Sequence, residues 1–286
     1  MTRKDRVVWV VAGLLLAIAL PAHAVVLRYE PEVGSVQRHK VSMAGRMEST
    51  VEGVGQTMRV EMTSEMTYSE KALSKTDETT TVETELLGGT TTMDMGGQTQ
   101  TMKMPTGKIV AEMDRRGRMF ELVETNMMGG EAAESIMGSG AETMPNWSQF
   151  SAFPENDVKV GDTWSDTISV PTEPGGPSIE LTFESELIAL TTFQDRKCAK
   201  MKTSFSGPIE MVMDEMSATG DEGGEGSLDA TLSGDLVWYY DYENSVYVYA
   251  EGTIGMEMHM VMAVPNMSNG TMTSKMLMNM KVSLMQ

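Results

Sequence analysis

The chain has 286 residues, with 41 acidic and 22 basic side chains, which gives a formal net charge of −19. Such an acidic surface argues against binding to nucleic acid or to anionic membranes, because both depend on lysine and arginine contacts with phosphate. Cys198 is the only cysteine, so an internal disulfide is excluded. The length is sufficient for one large β domain or two packed halves.

Residues 1–24 have the features of a secretory signal peptide. Basic residues precede an uncharged apolar run over residues 7–20, and Ala22-His23-Ala24 fits the small-x-small cleavage pattern. A membrane-spanning helix needs about 20 apolar residues, and this run is shorter. We therefore expect an exported protein, periplasmic or extracellular, with no membrane segment after cleavage. An uncleaved anchor is the alternative.

Two stretches of the chain, 107–124 and 234–251, share one design at an offset of 127 residues. The stretch 234–251 reads as two β-strands rich in Val, Tyr and Trp that are joined by a polar turn, and 107–124 repeats this design. The offset aligns Asp114 with Asp241, and it also carries Val33-Gly34-Ser35 onto 160–162. Two pairs of similar segments related by the same offset predict a duplicated all-β unit.

Period-two alternation supports the same fold. Every second residue from Met58 to Tyr68 is apolar or small, and the residues between them are charged or are threonine. This pattern is typical of an antiparallel sheet with one face in a core and one in water. We predict a mainly β, duplicated, antiparallel curved sheet or open half-barrel. The predicted divisions are a signal peptide (1–24), a first β repeat (25–124), a Gly/Met-rich, partly helical linker (125–154) and a second β repeat (155–286).

Catalytic and cofactor motifs are absent from the sequence. The chain after residue 24 has two histidines, His39 and His259, and contains no nucleophile elbow, phosphate loop, dinucleotide fingerprint or His-x-x-x-His pair. Acidic residues on strand faces that point to water need no catalytic explanation. The sequence therefore predicts a non-enzymatic protein with no cofactor and no catalytic residue.

Methionine is the most unusual feature of the composition, with 30 residues in the chain. The last predicted hairpin places methionines at alternate positions on both arms, so each arm presents them on a single face. Because methionine is unbranched and adaptable, such a face suits varied apolar partners. We predict a surface for a lipid, an acyl chain or a lipoprotein-like envelope partner, lined by Met256, Met258, Met260, Met262, Met276, Met278 and Met280.

Two other interpretations of these methionines stay open. Thioethers are soft ligands for Cu(I) or Ag(I), so Met256, Met258 and Met260 could form a periplasmic metal site. His259 is expected on the opposite face of the same strand, which argues against convergence of all these side chains on one ion. Alternatively, methionine replaces valine or leucine in an ordinary core, and the protein has a structural envelope-interaction role without a small ligand.

The stretch from Phe153 to Trp164 resembles the motif F-P-x-x-x-V-x-x-G-D-x-W, which opens the second half of a group of exported bacterial proteins of unknown function. Those proteins have two similar β-rich halves. Val33-Gly34-Ser35-Val36 is a degraded copy, with Ser in place of Asp and no Trp. In overall plan the chain is also similar to the LolA/LolB-like lipoprotein carriers, whose curved sheet and plugging helices enclose an apolar cleft. This resemblance implies a lipid or acyl-chain ligand and no catalytic residues.

Overall fold

A computed structural model describes residues 24–52, 55–128, 152–171, 178–216, 224–262 and 270–285. Its regular elements in these ranges are β-strands, as the alternating sequence pattern predicts. The strands are β1 (Val36–Val51), β2 (Gln56–Lys75), β3 (Thr79–Asp94), β4 (Thr99–Lys103), β5 (Thr106–Asp114), β6 (Met119–Met128), β7 (Thr163–Pro171), β8 (Ser178–Phe193), β9 (Arg196–Met216), β10 (Gly224–Asp241), β11 (Val246–Met262) and β12 (Gly270–Leu284).

All the strands belong to one antiparallel sheet. Its order is β6-β5-β3-β2-β1-β12-β11-β10-β9-β8-β7, with β4 paired to β3 outside this path. The first and last strands therefore pair in the middle of the sheet, and β6 and β7 form its two ends. The predicted fold class, a mainly β antiparallel curved sheet, is confirmed.

The two hairpins that the sequence aligned, β5–β6 and β10–β11, have the same turn chemistry. At the start of one turn, the Asp114 Oδ1 atom accepts hydrogen bonds from two backbone N–H groups of its own turn, both at 2.9 Å. The Asp241 Oδ1 atom likewise accepts hydrogen bonds from two backbone N–H groups of its turn, both at 3.1 Å. A short carboxylate that satisfies turn N–H groups is a common way to fix a reversal of the chain.

The other pair of segments that the 127-residue offset aligned, 33–35 and 160–162, also occupies equivalent positions in the two repeats. Residues 32–35 and 159–162 each form a turn in which the fourth N–H donates to the first carbonyl at 2.9 Å. Gly34 and Gly161 have φ angles of +85° and +93°, a region that favours glycine. Their N–H groups donate to carbonyls of β2 and β8, respectively, both at 2.8 Å. Each turn thus attaches the start of its repeat to that repeat's second strand.

Two extended segments, 24–34 and 152–161, cover one end of the sheet, which we call the closed end. They bridge to each other through Val25 and Val158, whose N–H and carbonyl groups pair at 2.8 and 3.0 Å. The first segment also receives a hydrogen bond from the Tyr240 hydroxyl, and the second accepts one from the Trp164 indole at 2.8 Å. These contacts place the resemblance motif in the cover of the closed end.

Contacts between opposite ends of the strand order demonstrate that the sheet curls. Arg116 lies in the β5–β6 turn, and Asp166 lies on β7 at the other end of the strand order. Their side chains nevertheless form an ion pair at 3.3 Å. The Arg116 guanidinium also donates to the Phe153 carbonyl at 2.6 Å, which fixes the same turn to the covering segment. A flat sheet of this width could not bring these groups together.

The core lies on the inner face of the curl, beneath the two covering segments. It is rich in aromatic side chains that are almost fully buried, and the ring centroids of Phe153 and Tyr240 lie 4.5 Å apart. Rings at this spacing add favourable interaction to the burial of their apolar area. The buried aromatic residues of the closed end are Tyr29, Tyr68, Phe153, Trp238, Tyr240 and Tyr247.

Part of the predicted organisation falls outside the described residues. Residues 1–23 of the predicted signal peptide lie outside the described ranges, and so do residues 129–151 of the predicted linker with its helices. At the start of the linker, β6 extends to Met128, past the boundary that the sequence predicted at 124. No helix in the described ranges is long and apolar enough to cross a membrane.

Glycines on the inner face let neighbouring strands approach closely where the sheet bends. A Cβ atom added to Gly252 would fall on the carbonyl oxygen of Asp235, and at Gly45 it would lie 2.7 Å from the carbonyl oxygen of Leu277. Glycine inside a strand commonly marks such a bend or close backbone approach. Gly255, three residues further along β11, has only ordinary contacts, the nearest at 3.6 Å.

This contrast gives a matched pair of substitutions on one strand. Gly252→Ala should destabilise the protein by more than about 2 kcal/mol, because the new methyl group overlaps backbone atoms that cannot move independently. Gly255→Ala should change stability by less than about 1 kcal/mol, and restriction of the unfolded chain favours a small gain. Chemical denaturation of both variants measures the difference. Equal effects would contradict the proposed role of Gly252 in the bend.

Candidate functional site

Three methionines lie side by side on the inner face, on adjacent strands in the middle of the sheet. The register places Met47 of β1 opposite Met276 of β12, and Met276 opposite Met256 of β11. All three side chains are half-buried. They lie towards the end of the sheet away from the closed end, where the described residues do not cover the inner face completely.

Neighbouring positions on the same face continue this surface. Met260 pairs with Met272, Met258 pairs with Ser274, and Met278 lies opposite Ile254. On this part of the inner face, eight methionines of β1, β2, β11 and β12 are half-buried, whereas Met66, Met113, Met201 and Met280, nearer the closed end, are at most 2% exposed. We call the half-buried set the methionine wall; it consists of Met47, Met62, Met256, Met258, Met260, Met272, Met276 and Met278.

The candidate residues chosen from sequence divide into two environments. Met256, Met258, Met260, Met276 and Met278 belong to the methionine wall, so the last hairpin does bring them onto one face. Met262 ends β11, where it pairs with Gly226 and Gly270. Met280 is only 2% exposed and packs in the core. Five of the seven predicted residues thus line one accessible apolar surface.

The wall contains one polar pair. Ser49 and Ser274 lie opposite each other on β1 and β12, and their hydroxyl oxygens are 2.7 Å apart. Both residues are buried, and each hydroxyl satisfies the other, so neither is left without a hydrogen-bond partner. The wall therefore presents thioethers and a self-satisfied hydroxyl pair, and it places no charged side chain among its members.

The outer face of the same strands is charged. Lys275 pairs with Glu257 at 2.9 Å and Lys40 with Glu65 at 2.9 Å, all on exposed side chains. His259 is exposed on this face, opposite Asp229 and Thr273. The prediction that His259 lies away from the methionines of β11 is confirmed. Its imidazole cannot join the thioethers of the wall around one ion.

A buried pair of titratable side chains, His39 and Glu70, lies near the closed end. His39 is 0% exposed and Glu70 6%, and the distance from His39 Nε2 to Glu70 Oε2 is 3.8 Å. The imidazole stacks on the Tyr68 ring at a centroid distance of 5.0 Å. Neither imidazole nitrogen has a hydrogen-bond partner among the described residues. Nothing in the sequence indicates this pair, because glutamate is rarely buried.

Burial shifts the pKa of each side chain in the direction that favours its neutral form. It raises the pKa of the Glu70 carboxyl to about 7 and lowers the pKa of the His39 imidazole to about 4. Loss of hydration disfavours whichever form carries the charge, so an acid and a base shift in opposite directions. Tyr29 and Tyr68 also face this carboxyl, and burial raises the pKa of each phenol well above its ordinary value. The cluster is therefore largely uncharged in mildly acidic solution.

Two further chemistries receive no support from the described residues. Cys198 is 0% exposed, and burial raises the pKa of its thiol to about 11, so it stays protonated instead of forming a nucleophilic thiolate. No group of three or more His, Cys, Asp or Glu side chains in the described ranges could hold a metal ion. Any metal site in this part of the chain would have to use other donors.

Comparison with known proteins adds little to this picture. No protein-family model matches the chain, and no match was found among curated proteins. Among solved structures, the crystal structure of Pseudomonas aeruginosa OpdQ aligns over 89% of this chain and 100% of its own, with 8% identity and a TM-score of 0.26. A likeness this distant supports no conclusion about fold or function.

Sequence reasoning missed Met47, Met62 and Met272 as members of the site. Met47 reaches the wall because β1 pairs with β12, more than 200 residues away along the chain. Alternation alone indicates which face of a strand is apolar, but it does not indicate which strands are neighbours. The alternating run from Met58 to Tyr68 did place Met62 on an apolar face, and this was the available signal for it.

The buried pair predicts a pH-dependent effect of Glu70→Gln. In the wild type, the unfolded carboxyl, with its ordinary pKa of 4.5, releases its proton before the folded carboxyl at about 7. Wild-type stability therefore falls as pH rises from 4.5 through 7, whereas Gln cannot ionise. Relative to wild type, the variant's free energy of unfolding should increase by about 3 kcal/mol between pH 4.5 and 8.

His39→Gln should show the mirror-image dependence. The folded imidazole has a pKa of about 4 and the unfolded one about 6.5, so its contribution is present above pH 6.5 and is lost as pH falls through 4. As the pH falls from 6.5 through 4, the free energy of unfolding of the variant should therefore rise relative to that of the wild type. Denaturant titrations at four pH values test both variants. Differences that do not vary with pH would contradict the buried, neutral state of the pair.

Proposed function

We propose that this protein binds the alkyl or acyl chain of a lipid along the methionine wall. The observation that carries the proposal is the contrast within the inner face. Side chains at the closed end are almost completely buried, whereas the methionines of the wall are half-buried and have no covering layer among the described residues. An apolar surface left partly open in this way commonly marks a binding site.

The chemistry of the wall favours an uncharged, hydrophobic ligand. Its members are thioethers, and its one polar pair, Ser49 and Ser274, is already satisfied internally. A charged or strongly hydrogen-bonding group placed there would lose water without gaining a partner. Methylene groups would instead lose only unfavourable contact with water, at about 0.8 kcal/mol for each buried CH₂.

The shape of the wall favours a linear chain. From Met272 to Met278, seven residues of β12 cover about 20 Å, and every second side chain points to the inner face. An extended alkyl chain lying along this strand would therefore contact thioethers over most of its length. Because methionine has three rotatable side-chain bonds and no branch, the wall can adapt to chains of different length or unsaturation.

The charged outer face is consistent with a carrier that keeps its ligand inside. Cross-strand pairs such as Lys275–Glu257 cover the opposite side of the very strands that form the wall. The sheet therefore presents water with ionic groups on one face and encloses its apolar groups on the other. The predicted export of the chain agrees with a role in moving or holding lipid outside the cytoplasm.

The test uses adjacent residues that point to opposite faces of β12. Met276 lies on the wall, and Leu277 is 57% exposed on the outer face. Met276→Gln should weaken binding of a fluorescent long-chain fatty acid at least about tenfold, because it places an amide in the apolar contact. Leu277→Gln makes a similar change in polarity and should leave binding unaltered. Circular dichroism checks that both variants fold.

Lipid extraction of the purified protein, followed by mass spectrometry, is the second measurement. Copurified acyl lipid that is reduced in Met276→Gln and retained in Leu277→Gln supports the proposal. A wild-type protein that neither copurifies with lipid nor binds the fatty acid probe overturns it. Equal probe binding by the two variants would also overturn it, and the envelope-interaction role without a small ligand would then remain.

A further inference from the structure

The cross-strand row formed by Met47, Met276 and Met256 places three sulfur donors next to each other. Directly opposed residues in antiparallel strands have Cβ atoms about 4.5–5.5 Å apart. Residues two apart on one strand, such as Met256 and Met258, are separated by about 6.8 Å. The three side chains in the row are therefore better placed to converge on one ion than Met256, Met258 and Met260, the metal ligands predicted from sequence.

The surroundings of the row select the kind of ion. The next residues in the same row are Val60 on β2 and Leu232 on β10, both apolar. The imidazole on this hairpin, His259, lies on the outer face. Three neutral thioethers without carboxylate or imidazole suit a soft monovalent cation and provide poor ligands for magnesium, calcium or zinc.

The three methionines also differ from those that fill the core. Met66, Met113, Met201 and Met280 are at most 2% exposed, so their sulfur atoms are enclosed by neighbouring side chains. Met47, Met256 and Met276 are half-buried, which leaves their thioethers both sheltered and reachable. The net charge of −19 favours the approach of cations from solution.

We infer that Met47, Met276 and Met256 form a trithioether site for a single soft monovalent cation, Cu(I) or its redox-inert substitute Ag(I). The site uses the sulfur atoms of the wall, whereas the proposed lipid binding uses its apolar surface. Exchange for leucine removes the sulfur and keeps an apolar side chain, so it tests the donor atoms directly. Methionine-to-leucine exchanges also preserve side-chain volume, and each typically costs less than about 1.5 kcal/mol.

The experiment is an anaerobic titration of the purified protein with Cu(I) in competition with a chromophoric Cu(I) chelator, repeated with Ag(I) by calorimetry. The wild type should bind one equivalent tightly, and X-ray absorption should report about three sulfur neighbours around copper. The triple variant Met47→Leu, Met256→Leu, Met276→Leu should lose at least about 100-fold in affinity. Circular dichroism checks that the triple variant folds.

The control removes two methionines that lie away from the wall. Met95 and Met285 are 48% and 45% exposed, and a double substitution of these residues by leucine should keep the wild-type affinity for Cu(I). The inference is overturned by a wild type that binds no stoichiometric ion or by a wall variant that binds as tightly as wild type. An equal loss in the control would also overturn it, because it would indicate thioether binding spread over the whole chain.

Discussion

A single antiparallel sheet has one apolar face that must be removed from water, and a one-layer fold can do so only by curling or by acquiring a cover. Within the described ranges, this chain does both at the closed end. The segments 24–34 and 152–161 cross the closed end, and the Arg116–Asp166 ion pair joins the two ends of the strand order there. The partial cover divides the inner face into a buried aromatic core and the methionine wall.

The curl depends on backbone positions as well as on covering segments. Inner-face glycines, of which Gly45 and Gly252 are examples, leave no room for a methyl group because neighbouring strands lie against them. Removing side chains at these points lets the sheet bend sharply, and adjacent rows can still carry large side chains. The two covering segments complete the closure through their own contacts at the closed end. Close strand packing at these glycines and long-range contacts at the closed end thus both contribute to the curl.

The sequence was informative where the relevant signal is local. Alternation identified the β-strands, and the 127-residue offset matched Asp114 with Asp241 in turns of the same chemistry. Alternation also placed His259 on the face opposite the methionines of β11, as the register confirms. These features depend on residues close together in the chain, whose geometry follows from strand periodicity and turn requirements.

The rest depends on contacts between distant segments, for which the sequence carried no comparable signal. The pairing of β1 with β12 brings Met47 beside Met276, and nothing in either strand specifies the other as its neighbour. Burial of Glu70 and His39 follows from closure of the sheet over them, and ordinary exposure statistics predict the opposite. In addition, β12 has no repeat counterpart among the described strands, so the duplication alone does not predict the centre of the sheet.

The distribution of methionine connects these observations. In a fully enclosed core, methionine and leucine are nearly interchangeable, because both fill volume with apolar atoms. On a surface that is only partly covered, the difference matters, since a flexible unbranched side chain can follow a ligand and a sulfur atom can act as a donor. Fully buried positions carry aromatic rings together with Met66, Met113, Met201 and Met280, whereas the partly covered part of the inner face carries the eight methionines of the wall. The concentration of half-buried methionines on that surface is the observation on which both proposals rest.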